Sequence, residues 1–204
     1  MTTEPFLPRY LAEKYVRRNR LKKIVLTWGL IAGAVLAGVM WATLPMALND
    51  AGLHENMMVV GYTSMVVAFL MVFFGIRAYR ENVGGGGVTF GKAFQVGILI
   101  TLVGSAVYVL SWQIMYYSLF PDFADRYAAH IVEGMQKEGA TAAALAAKRK
   151  EMADFAVMYK NPLVNIGFTL LEVFPVGLVM TLVASAILRR KAAPGGASPA
   201  VALA

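Results

Sequence analysis

Four apolar stretches, Ile24 to Leu48, Met57 to Ile76, Ala93 to Tyr117 and Leu163 to Leu188, constrain this chain more than any other feature. Each holds about 20 residues or more, enough to cross a hydrocarbon layer about 30 Å thick at about 1.5 Å of rise per helical residue. In lipid the backbone must satisfy its own hydrogen bonds, so such runs fold as helices. The expected fold is therefore all-α and polytopic, with four transmembrane helices. Composition agrees: 58% of residues are hydrophobic and 15% charged, where a soluble domain carries about 25% charge. A formal charge of +7 invites thoughts of nucleic acid. The cations flank the apolar runs, however, and no basic helix is interleaved with stacking aromatics, so nucleic acid is set aside.

Orientation follows from the distribution of Lys and Arg. The first 23 residues carry Arg9, Lys14, Arg17, Arg18, Arg20, Lys22 and Lys23, whereas the connection 49–56 has neither residue type. Arg77, Arg80 and Lys92 flank the second connection, and Arg189, Arg190 and Lys191 follow the last span. The positive-inside rule places these three segments, and both termini, in the cytoplasm, where they meet anionic headgroups. The long run before the first span is polar and basic, and that span reads as an uncleaved anchor rather than a signal peptide. Pro5 and Pro8 are expected to keep the extreme amino terminus irregular, and Arg9 to Lys23 reads either as a short interfacial helix, with Leu11 and Tyr15 four residues apart, or as a solvated basic flank. The tail 192–204 is Ala, Gly, Pro and Ser and is expected to be disordered.

Connection 118–162 is long enough to carry structure. Pro121 and Asp122 suit a helix start, and Phe123, Tyr127, Ile131 and Met135 recur at steps of four. Gly139 suits a left-handed helix end and Thr141 a second cap. An amphipathic hairpin over about 121–160 is expected on the extracytoplasmic side, on the membrane face or over the bundle mouth. His130 lies within it without a second histidine nearby, so a metal site is not expected. No cysteine is present, which excludes disulfides and thiolate metal sites.

Two further patterns need weighing. Gly86 to Lys92 fits the start of a phosphate-binding loop, but Ala93 replaces the Mg²⁺-binding hydroxyl and no strand precedes it. Four consecutive glycines read instead as a flexible link. Gly29 with Gly33, Ala34 with Gly38, and the series Gly61, Ser64, Ala68 and Gly75 provide small residues at helical spacing. These suit close packing within the bundle or a homodimer seam.

Glu172 is the one charged residue inside a span away from its ends. An ionised carboxylate there is costly, so it is expected to face the bundle interior. Asn165, Thr169 and Glu172 share a helical face, and Pro175 removes a backbone donor three residues on. On the third span Thr101, Ser105, Tyr108 and Trp112 share another face, with Tyr108 at matching depth. The two stripes are expected to meet, with Tyr108 or Ser105 bonded to the Glu172 carboxyl.

Several phrases resemble a bacterial four-span membrane family known only as a domain of unknown function. They are Gly61 to Met65, Val72 to Arg80, Thr89 to Phe94, Pro121 to Phe123, Met158 to Leu163 and Glu172 to Leu178. The resemblance covers about Lys22 to Lys191. It implies a bacterial origin, an inner-membrane location and no assigned activity, cofactor or catalytic residue. The expectation is a non-enzymatic membrane protein that acts through a partner or an oligomer and is stabilised by a polar seam between spans three and four. The alternative is a small proton- or cation-linked transporter or channel using Glu172.

Overall fold

A computed structural model of the chain describes residues 9–49 and 54–191. The expectations for the extreme amino terminus and for the tail 192–204 lie outside the described residues. Six helices follow one another: α1 (Arg9–Asn49), α2 (His54–Asn82), α3 (Phe90–Ser118), α4 (Phe123–Lys137), α5 (Ala142–Tyr159) and α6 (Pro162–Leu188). The described residues contain no strand. Helices α1, α2, α3 and α6 are each long and apolar enough to cross a membrane. Around the bundle the order is α1, α2, α6, α3, with α2 and α3 also touching across the middle.

The basic segment and the first span are one helix of 41 residues, about 61 Å long at the helical rise. Neither Gly nor Pro interrupts Arg9 to Trp28, so nothing separates an interfacial piece from the span. The segment is thus helical, as one reading had it, and runs straight into the membrane, as the other had it. Arg17 and Arg20 donate to the carbonyl oxygens of Val83 and Asn82 at 3.4 and 3.2 Å. These groups lie at the carboxyl end of α2, where a cation also complements the helix dipole.

The glycine run is not a slack linker. Gly85 and Gly86 have φ of 60° and 85°, a conformation open to glycine at little steric cost. Gly84 and Gly86 donate back to Tyr79 and Arg80 carbonyls and so close α2, while Thr89 caps α3 through Lys92 N–H. Val88 and Arg190 exchange two backbone bonds at 2.8 and 2.9 Å, which ties this loop to the chain leaving α6. With these N–H groups already committed to carbonyls, the loop lacks the cradle a phosphate requires. The amino-terminal helix, the glycine loop and the end of α6 therefore form one basic end of the bundle.

Helix pairs approach where side chains are missing. A Cβ added to Gly29 would stand 2.6 Å from Val103 Cβ, and one added to Gly33 would stand 2.5 Å from Val107 Cβ. The first glycine pair is therefore used inside the bundle, between α1 and α3. Gly38 has nothing within 4 Å of such an atom, and Ala34 beside it is exposed.

Gly33→Leu should destabilise the bundle by about 1–3 kcal/mol through overpacking, whereas Gly38→Leu should leave it unchanged. Reversible unfolding in mixed micelles checks the pair, and equal effects from both would contradict this packing.

Candidate functional site

The geometry of the site begins where α3 and α6 cross. Thr101 on α3 donates to the Gly177 carbonyl oxygen at 3.3 Å and shares a 2.9 Å hydrogen bond with Thr181. A Cβ on Gly177 would collide with the Thr101 methyl, and one on Gly97 would stand 2.8 Å from the Thr181 methyl. Each threonine methyl thus occupies the space left by a glycine on the facing helix. Phe69 of α2 closes the same layer and is fully buried.

Nearer the hairpin end the two helices bond again. Gln113 Nε2 donates to Asn165 Oδ1 at 2.7 Å, and Thr169 donates to the Asn165 carbonyl oxygen at 2.8 Å. Ser105 is fully buried on the α3 face, its hydroxyl without a hydrogen-bond partner among the described residues. Trp112 Nε1 donates to the Tyr159 hydroxyl at 3.0 Å, which fastens the end of α5 to α3. Burial pushes the Tyr159 phenol up to about 12, partly offset by the hydrogen bond from Trp112. The seam between α3 and α6 therefore unites Thr101, Asn165 and Thr169 with Gln113, Gly177 and Thr181, which the sequence reading passed over.

Glu172 is placed differently. The buried row on α6 steps by four through Asn165, Thr169, Val173, Gly177, Thr181 and Ser185, and Glu172 stands one residue aside from it. The bond expected from Tyr108 or Ser105 to its carboxyl is not among the contacts the seam makes. The acid instead borders a cavity of about 450 Å³ that lies above the Thr101–Thr181 layer. Its side chain is exposed and borders that space. Tyr108, Trp112 and Thr169 line the same cavity, whereas Thr101, Ser105, Asn165 and Pro175 do not.

The hairpin supplies the roof. Helix α4 is strongly amphipathic and turns Phe123, Tyr127 and His130 toward the cavity, while α5 contributes Phe155 and Tyr159. The hairpin forms at the expected positions: Gly139 has φ of 79°, and Thr141 caps α5 through Ala144 N–H. Asn161 caps α6, with Pro162 opening it. Phe123 meets Trp112 edge to face at 4.8 Å, and Tyr159 meets Tyr116 similarly at 5.5 Å, so aromatic contacts seat the roof on the span below. From the other side come Leu36 and Met40 of α1 and Tyr62, Ser64 and Met65 of α2. Among the described residues no cluster of His, Cys, Asp and Glu could hold a metal ion.

Fold and site together define a multi-pass α-helical membrane protein with a roofed internal cavity. The chain belongs to the family described as Protein of unknown function (DUF4199), whose sequence profile matches residues 27–190. No curated protein and no solved structure matches it.

The threonine–glycine crossing should be separable into its parts. Gly177→Ala should cost about 1–3 kcal/mol by overpacking. A cycle of Thr101→Val and Thr181→Val, which keeps both methyls, should give a coupling near about 1 kcal/mol. Both are read from unfolding in mixed micelles, and an additive cycle would remove the hydroxyl pair from this account.

Proposed function

We propose that this is a non-enzymatic ligand-binding protein of the bacterial inner membrane that reports occupancy of its cavity to a partner or a second copy. In this reading the basic end faces the cytoplasm among anionic headgroups, and the hairpin roofs the cavity on the opposite side. One observation carries it: a carboxyl without a bond from the seam opens into a cavity whose floor is sealed by interlocked side chains. A cavity of this size, mostly apolar with a few polar groups, has the character of small-molecule sites. Catalysis is less well supported. Ser64 on the wall commits its proton to the Gly61 carbonyl oxygen at 2.7 Å, so it is not set up as a nucleophile beside a base.

Proton- or cation-linked transport is the second reading. It is favoured by the placement of Glu172 at mid-depth, three residues before the break that Pro175 makes in the bonding of α6. Transport requires access to the acid from both sides in turn.

The absence of native cysteine permits a direct test. Tyr108→Cys, Glu172→Cys and Thr181→Cys should be labelled separately with a membrane-impermeant maleimide, in spheroplasts and in inside-out vesicles. The binding reading expects labelling at 108 and 172 from the hairpin side alone, and none at 181 from either side. Labelling at 172 from both sides would replace it with transport. In that case vesicles containing a pH-sensitive dye should show flux that Glu172→Gln abolishes.

A further inference from the structure

The cavity wall has a charge pattern that points to the chemistry of its occupant. Glu172 contributes an acid, and no Lys or Arg is among the described residues that line the space. The connection 49–56, at the same end of the bundle, contains neither residue type in its sequence. The ion pairs of Arg77 and Arg80 with Glu81, Arg126 with Asp122 and Lys148 with Glu151 involve other acids. A carboxylate inside the membrane without a counter-charge is costly, and breaking such a pair is costlier than never forming it. A cation brought in from outside supplies the missing counter-charge.

The walls restrict which cation. A bare divalent ion is usually held by several carboxylates or histidines together, and the described residues offer no cluster of three or more such groups. Aromatic rings supply a different kind of attraction. Tyr62, Tyr108, Trp112, Tyr127 and Tyr159 come to the cavity from four separate helices. The electron-rich faces of such rings attract a cation whose centre lies within about 6 Å, most strongly where water is excluded. Leu36, Met40 and Met65 provide an apolar side, with flexible methionines that accommodate an irregular body. His130 in the roof is the remaining titratable nitrogen on the wall.

We propose that the cavity binds an organic cation with an apolar body, its ammonium centre set against the Glu172 carboxylate and the surrounding rings. An anion would meet an uncompensated carboxylate, and a neutral ligand would leave that group as costly as before. The inference rests on the ligand-binding reading given above, and the test separates the two.

The protein in lipid nanodiscs, carrying Trp28→Phe and Trp41→Phe, keeps Trp112 as its single tryptophan in the cavity wall. Its fluorescence is titrated with three probes of one shape: benzyltrimethylammonium, the uncharged isostere neopentylbenzene and phenylmethanesulfonate. The cation should bind at least about tenfold more tightly than the uncharged probe, and the sulfonate should not bind. Glu172→Gln should erase the difference between cation and uncharged probe. Tyr62→Leu, a change on a half-open wall, should weaken the cation several-fold while sparing the uncharged probe; it serves also if Glu172→Gln does not fold. Equal binding of cation and uncharged probe by the unsubstituted chain, or an unaltered preference in both variants, overturns the cation assignment and leaves the cavity reading standing. Failure of all three probes to bind overturns both.

Discussion

The reciprocal crossing of Thr101 with Gly177 and Thr181 with Gly97 is the contact around which the bundle is organised. Between helices in lipid there is little hydrophobic driving force, because acyl chains are as apolar as leucine. What remains is close packing and the hydrogen bonds that closeness allows. Helix α3 exploits both, burying Ala93, Gly97, Thr101 and Ser105 on one row and Val96, Ile100, Gly104 and Tyr108 on the next. The first row engages α6, while Gly104 of the second lies against Ala32 and the Gly29 backbone of α1. It is the most buried of the four spans, and the others are arranged about it.

That crossing also determines what lies above it. With α3 and α6 drawn together at Gly177, the space toward the hairpin end is filled by large rings and covered by α4 and α5. Depth alone pairs Tyr108 with Glu172, and both do border that space. What depth cannot give is direction. A step of one residue on a helix is about 100°, so the row that buries Thr169 and Val173 leaves Glu172 at its margin. The acid belongs to the cavity wall and not to the seam.

The four spans were legible because twenty consecutive apolar residues have few other fates, and their observed limits extend the expected ones by as little as one residue at α6 and as many as fifteen at the start of α1. The hairpin was legible through its punctuation: Gly139, Thr141 and Asn161 act where their chemistry says they should. The glycine run was misjudged as slack because composition does not disclose that Tyr79, Arg80 and Arg190 supply carbonyl partners. Thr181 and Ser185 escaped notice because hydroxyls are cheap to place in a span, and only the partner helix distinguishes a used one from an idle one. The fourfold spacing from Asn165 to Ser185 is present in the sequence and could have been followed past the proline. Gln113 and Tyr159 could not, since their bonds join elements about 50 residues apart.

Helix α1 joins the two ends of the molecule in a single rigid piece. Leu36 and Met40 touch the cavity, while Arg17 and Arg20 rest on the end of α2 some twenty residues earlier. No proline lies between them, and a rigid tilt of the helix would turn on its glycine contacts with α3. A tilt of about 5° about Gly33 would sweep Arg9 through about 3 Å, given about 36 Å of intervening helical rise. A small displacement beside the cavity would thereby be magnified at the basic tip of the helix.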